Sequence, residues 1–331
     1  MNFDKIKDKI HRTIDERDTL AEKNPELLPS KYWQDFCERT RYVFDLSDKE
    51  LKNIRYHTYH LTSDLYLPYY FGDAQAFSDG NRIDWRTWGF YSEPLAGIGF
   101  ECKNRYTGSE LLISSDLVRY KHIIDRVGKY IDGSVLEIGA GYGGLAYQII
   151  SHYRGVKQYI IVDIPEVLIF PAVYLTLNCP DKKIYVYNPQ DYPSLPIEGY
   201  DIAIIPNYRA DLLLNMKKIK LAINTASFQE MTSRQVYIYL NILKSAMKED
   251  GVLYSWNMDK NPANQEDLNI TNLLKKYFQI EELVSPAINK TTRIRTIELM
   301  TYLASKVGLT QQTNKVPAQI YKEYICKKKK V

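Results

Sequence analysis

The chain has 331 residues, 45% of them hydrophobic and 25% charged, an ordinary globular composition that excludes a disordered or collagen-like polymer. Its 44 basic and 40 acidic residues leave a formal net charge of +4, too small an excess to point to nucleic acid. No run approaches the roughly 18 apolar residues of a membrane span. The start, MNFDKIKDKIHRTIDERD, is charged throughout and lacks the apolar stretch of a secretory signal. Cys37, Cys102, Cys179 and Cys326 are scattered and form no CxxC pair, which fits a reducing cytoplasm. One number is unusual: 28 tyrosines, with aromatics at 13%.

In chain order, residues 1 to about 115 read as a mainly helical cap. Ile6, Ile10 and Ile14 repeat at i, i+4 on a charged segment, the pattern of an amphipathic first helix. SKYWQDFCERTRYVF predicts a second helix after Pro25 and Pro29. Ser47 and Glu50 form a capping box that opens a third over KELKNIRYHTYHLTSDLY. From Pro68 to Gly108 the chain is rich in aromatics, Gly and Asp and reads as loops. Tyr56, Tyr59, Tyr66, Tyr69, Tyr70, Phe71, Trp85, Trp88, Phe90 and Tyr91 fall within a short span. Most suit the packing of a small subdomain, and their apolar faces with polar tips also suit sugar rings.

From Asp132-Gly133 the character changes. The apolar runs SVLEIGA, QYIIVDI, KIYVYN, DIAIIP, KLAINTAS and GVLYSWNM alternate with helical stretches. Short continuous apolar runs are expected of parallel strands buried on both faces. The helices expected are GLAYQIISHYR, PEVLIFPAVYLTLN opened by Pro165, and TSRQVYIYLNILKSAMKED closed by Gly251. The alternation predicts a doubly wound, mostly parallel α/β sheet over residues 116–331, with residues 1–115 as the cap. Lys327 to Lys330 read as a solvated tail, with weak contact to an anionic membrane surface as the other use.

The strongest motif is VLEIGAGYGG, residues 135–144, between a strand and a helix. Gly139, Gly141 and Gly143 let the backbone turn tightly, so that Ala140 and the following N–H groups face a ligand at the carboxyl end of the strand. Gly139, Gly141 and Gly144 also satisfy GxGxxG, and Asp163 lies near the spacing of a ribose carboxylate, so a nicotinamide oxidoreductase is an alternative. Glu137 tips the choice. An acid in an apolar strand needs a positive or donor partner, and the amino group of S-adenosylmethionine is one. Asp163, followed by Ile164, can accept from both ribose hydroxyls. The adenine contact falls either at Asp191-Tyr192, after KIYVYN, or at Asn207-Tyr208, after DIAIIP.

The second cluster is LAINTASFQEM, residues 221–231, where Asn224, Ser227, Gln229 and Glu230 crowd the end of an apolar strand. VLEIGAGYGG resembles motif I of class I S-adenosylmethionine-dependent methyltransferases. Together with SFQEM, SKYWQDF and IRYHTYHLTSDLY it resembles a bacterial family labelled sugar O-methyltransferases. The resemblance covers most of the chain and implies methyl transfer to a hydroxyl of a sugar or glycan precursor, in the cytoplasm. Asn224 and Ser227 join the cofactor set. The run Asp163-Ile-Pro-Glu-Val167 is similar to small-molecule O-methyltransferases of the plant type, which use a histidine after this strand; here Gln229 takes that place.

Glu230 is therefore the first candidate base, with His57 and His60, at i, i+3, the next. Two histidines alone are a weak metal signal, and no metal is expected. Arg55, Glu93, Gln229 and Tyr208 are candidate acceptor contacts, and Arg293 and Arg295 could meet an anionic acceptor. An N or phosphate acceptor is the alternative to a hydroxyl, and a homo-oligomer is open.

Overall fold

In the computed structural model, residues 3–58, 91–94, 100–104, 106–194, 196–214, 216–261, 264, 268–283 and 321–329 are described. The helices are α1 (Asp4–Ala21), α2 (Lys31–Thr40), α3 (Asp48–Leu51), α4 (Ser115–Val127), α5 (Gly144–His152), α6 (Ile169–Asn178), α7 (Ser233–Ala246) and α8 (Ile270–Tyr277). A two-stranded antiparallel ribbon pairs β1 (Phe100–Lys103) with β2 (Glu110–Ile113). The remaining strands are β3 (Gly133–Ile138), β4 (Val156–Asp163), β5 (Ile184–Val186), β6 (Ile202–Pro206), β7 (Ile219–Thr225), β8 (Met247–Met258), β9 (Phe278–Leu283) and β10 (Tyr321–Lys328).

These eight strands make one sheet in the order β5-β6-β4-β3-β7-β8-β10-β9. From β5 through β8 every pairing is parallel, while β10 is antiparallel to both β8 and β9. The first strand in sequence of this sheet, β3, sits near its middle. Strands β4 and β7 flank β3, so the chain reverses direction across the sheet there. Such a switch point opens a crevice at the carboxyl ends of the strands.

The sheet is covered on both faces. Val135, Tyr159, Ile161, Ile223 and Tyr254 face α4, α5 and α6. Leu136, Ile138, Ile160, Ala222 and Leu253 face α7 and α8. Alternate residues of each strand thus supply the two cores, which is why the runs read as continuously apolar rather than alternating. Phe3, Ile10, Val43, Phe44, Leu51 and Ile54 belong to the first of these cores, so the apolar interior runs unbroken across residue 115.

Several element boundaries differ from the sequence expectation. The capping box of Ser47 and Glu50 is present, but it starts a helix of only four residues, and Ile54–His57 is a separate 3-10 turn. Pro165 does not open α6, which begins at Ile169 and carries Pro171 in its first turn. Gly251 does not close α7. The helix ends at Ala246 and the chain passes directly into β8, whose register against β7 jumps from Ile219↔Met247 to Leu221↔Val252. A Cβ at Gly251 would lie 2.8 Å from the Ile219 carbonyl oxygen, so glycine is needed where the strand bulges. Lys327 and Lys328 belong to β10 rather than a tail, and the Lys328 ammonium lies 3.0 Å from Glu249. Among the described residues no helix is long and apolar enough to cross a membrane.

Candidate cofactor and acceptor site

The glycine loop leaves β3 at the switch point. Gly139, Gly141 and Gly143 take φ of +76°, +57° and +86°, a region costly for any residue with a Cβ. At Gly139 the constraint is doubled, because a Cβ would lie 2.4 Å from that of Ser227. Ser227 therefore packs against the glycine turn, and the loops after β3 and β7 fit together only through that missing side chain. Ala226, just before it, is held at φ +54°, with its N–H donating to the Trp256 carbonyl at 2.9 Å. A non-glycine residue in this region stores strain, here at the carboxyl end of a central strand.

Two carboxyl groups stand beside the loop. Glu137 is 4% exposed and accepts a 2.7 Å hydrogen bond from the Tyr159 hydroxyl. Burial pushes its pKa up to about 8; the Tyr159 bond acts the other way, and the nearby Asp163 charge adds to the rise. Asp163, at the end of β4, accepts from the Gly141 N–H at 3.1 Å and the Ile164 N–H at 2.8 Å. Burial raises it to about 7 against the pull of those backbone donors.

The strand next to β4 is β6, with Asp163 opposite Pro206. Asn207 thus follows directly at the same edge of the crevice, whereas the loop after β5 lies one strand further out. Among the described residues the buried Asn207 side-chain oxygen has no hydrogen-bond partner. The Asp191 carboxylate instead accepts from Tyr185 at 2.8 Å, and the Tyr192 ring packs under Arg209 at 3.8 Å.

The N-terminal helices lie against this edge. Arg17 on α1 is buried and reaches Glu166, three residues past Asp163, at 2.7 and 2.8 Å. Glu16 pairs with Arg209 and accepts from Tyr208 at 2.6 Å and Tyr187 at 3.0 Å. The Tyr208 hydroxyl thus serves α1 docking. Ser30, at the head of α2, makes no cap; its hydroxyl donates to the Glu230 carbonyl at 3.0 Å.

Other sequence candidates are structural struts. Asn224 is fully buried, with its amide donating to the Ile138 carbonyl at 2.9 Å and accepting from Phe228 N–H and Asn257. The Gln229 amide accepts from Met258 N–H at 2.8 Å and donates to the Tyr321 hydroxyl at 3.3 Å, tying the β7 loop to β8 and β10. Arg55 is not a cleft residue. Its guanidinium is buried 3.1 Å from Asp116 and 4.1 Å from the Tyr142 ring centroid, beneath the glycine loop. Glu93 is buried beside it, accepting from Ser114 at 2.5 Å and from Tyr174 at 3.4 Å. His57 is bonded through Nδ1 to Tyr42 at 3.1 Å, and burial lowers its pKa. No described contact brings it to the glycine loop. His60, Arg293, Arg295 and the aromatic cluster from Tyr59 to Phe90 lie outside the described residues. Among the described residues no set of three His, Cys, Asp or Glu groups is placed to hold a metal.

The sequence reading missed one cluster entirely. Glu323 on β10 is fully buried and accepts from His122 Nε2 at 3.1 Å and from the Tyr254 hydroxyl at 2.7 Å, with Arg126 Nε at 3.3 Å. His122 and Glu323 are 201 positions apart, and no spacing rule could have joined them.

Compared with models of known protein families and with curated protein sequences, the chain matches none. Among solved structures it is similar to a Haemonchus contortus phosphoethanolamine N-methyltransferase 2 in complex with S-adenosyl-L-methionine. That match has 14% identity and a TM-score of 0.41, covering 64% of this chain and 52% of that one. It is also similar to the YcgJ protein of Bacillus subtilis, at 10% identity and TM-score 0.39, covering 64% and 98%. A SAM-dependent methyltransferase from Archaeoglobus fulgidus matches at 12% and 0.34, covering 63% and 94%. The chain thus spans about half the length of the Haemonchus protein. The α/β class itself rests on the strand order and the two-faced core described above.

Proposed function

We propose that the chain is an S-adenosylmethionine-dependent O-methyltransferase that acts, in the cytoplasm, on a hydroxyl of a sugar or sugar-containing glycan precursor. One juxtaposition carries the cofactor part. Glu137, the glycine turn, Asp163 and the unpartnered Asn207 oxygen follow one another along the carboxyl ends of β3, β4 and β6. An amino acid, a ribose and an adenine occur in that order in S-adenosylmethionine. Glu137 suits the ammonium, Asp163 the ribose hydroxyls, and Asn207 the adenine amino group. The residues fit the group: Asn207 has an acceptor and no donor, and the glycine turn admits a ligand close to the backbone. When bound, the cofactor supplies a methyl on a positively charged sulfur.

The chain's own work is to align an acceptor oxygen and to hold its proton. In this reading Glu230, half-buried on the turn after β7, accepts a hydrogen bond from the acceptor and orients it. The sugar specificity rests on the resemblance of the SFQEM, SKYWQDF and IRYHTYHLTSDLY segments.

The test has two stages. S-adenosylhomocysteine should raise the melting temperature where NAD does not; the reverse would replace the reading with an oxidoreductase. Methyl transfer is then screened against nucleotide sugars and glycan fragments by mass. A gain of one methyl on an amine or phosphate instead of a hydroxyl would refute the O-acceptor.

A further inference from the structure

We propose that His122 is the general base for the acceptor, with Glu323 orienting it and taking up its charge; this rests on the methyl-transfer reading above. The register puts this pair at the reactive end of the sheet. Glu323 lies opposite Trp256, Trp256 opposite Thr225, and the preceding Asn224 opposite Ile138, the last residue before the glycine turn. His122 projects from α4 onto the same spot, its ring 5.3 Å from that of Trp256. Trp256 in turn is 6.0 Å from Tyr321, whose hydroxyl holds Gln229, the neighbour of Glu230.

Three observations separate this cluster from a packed core. The Trp256 ring N–H is buried without an acceptor among the described residues, in a residue 7% exposed. Glu323 is fully buried, and its second oxygen has no donor among the described residues. The His122 side chain keeps 12% exposure, so the imidazole lies at the edge of the cluster. Because Nε2 faces the carboxylate, the neutral ring carries its proton on Nε2 and its lone pair on Nδ1. Among the described residues nothing bonds Nδ1.

The step balances. The acceptor hydroxyl gives its proton to His122 Nδ1 as its oxygen forms the bond to the methyl carbon. The methyl's bond to sulfur breaks in the same event and its electrons stay on sulfur. The positive charge ends on the imidazolium, 3.1 Å from Glu323. Arg126 and the hydroxyl of Tyr254 share that carboxylate and keep it ionised, while Trp256 walls the ring from β8.

The experiment needs no acceptor. The full chain, labelled with ¹³C,¹⁵N-histidine, is titrated by NMR in saturating S-adenosylmethionine and, separately, in S-adenosylhomocysteine. The chain has five histidines, and His122 is assigned by loss of its signal in His122→Gln. Should that variant not fold, single substitutions of His11, His57, His60 and His152 assign it by elimination. The two ligands differ by the sulfonium charge. A base within reach of the acceptor should titrate about one pH unit lower with the charged ligand. Coincident midpoints, with both ligands bound by melting shift, overturn the inference and leave the methyltransferase reading standing. If neither ligand binds, that reading falls and the inference falls with it. In Glu323→Gln the ring ¹⁵N shifts of His122 should lose the Nε2-protonated signature while S-adenosylhomocysteine still binds; an unchanged signature overturns the pairing.

Discussion

Glu137→Gln isolates the energy of placing a carboxyl group under the glycine turn. Burial moves this group from an ordinary 4.5 to about 8, so in the free protein it is mostly protonated at neutral pH. Each pH unit between those values is worth about 1.4 kcal/mol. Between pH 4.5 and 8 the unfolded chain has lost the proton that the folded chain still holds. Stability from this group is therefore complete below pH 4.5 and falls as pH rises towards 8. At pH 7 the group costs about 3 kcal/mol relative to one that does not titrate. Glutamine keeps an acceptor for the Tyr159 hydroxyl and removes the titration. Urea melts of both forms from pH 4 to 8 should give equal stability near pH 4 and a variant more stable by about 3 kcal/mol near pH 7. Binding of S-adenosylhomocysteine should move oppositely. It should strengthen in the wild type as pH approaches 8, because the ammonium needs the ionised carboxylate, and should be weak and flat in the variant. Parallel pH profiles of stability in the two proteins would refute the argument.

Three further outcomes follow from the geometry. Gly139→Ala places a Cβ on Ser227 at a φ of +76° and should abolish S-adenosylhomocysteine binding by calorimetry while the far-ultraviolet dichroism persists. Asp116→Asn leaves the buried Arg55 guanidinium without its 3.1 Å counter-charge and should cost about 3–5 kcal/mol in urea denaturation. A loss under 1 kcal/mol would show that the pair is solvated. Asn207→Ala should weaken adenosyl ligands about tenfold and leave S-methylcysteine sulfonium analogues that lack adenine unaffected.

The parts legible in the sequence were those set by neighbours in the chain. Six strands of the sheet announced themselves as apolar runs, and the glycine turn with Glu137 and Asp163 was readable because strand, turn and helix follow one another directly. Element ends were less legible. Pro165 and Gly251 carry familiar helix-boundary signals, yet one stands in a turn before α6 and the other in a bulge, because tertiary register decided each position. What no local pattern could supply were contacts between distant segments: Arg55 under the glycine loop, Arg17 on Glu166, and His122 on Glu323. The tyrosines illustrate the difference. Their sequence clustering drew attention to the cap, but Tyr142, Tyr159, Tyr174, Tyr187 and Tyr254 are fully buried in and around the sheet. There they bury large rings, and the hydroxyls of Tyr159, Tyr174, Tyr187 and Tyr254 contact Glu137, Glu93, Glu16 and Glu323.

Strand β10 has a consequence for how the molecule is made. It lies between β8 and β9, and both hydrogen-bond only to it on that side of the sheet. During synthesis β9 emerges before β10 and finds no partner at the β8 edge in its native register. The Glu323 carboxylate that His122, Arg126 and Tyr254 share is also missing until then. A ribosome-bound chain lacking residues 321–328 would thus expose the β8 edge and deprive His122 and the Tyr254 hydroxyl of this carboxylate. Such a nascent chain is open to strand exchange and needs shielding until β10 is threaded in.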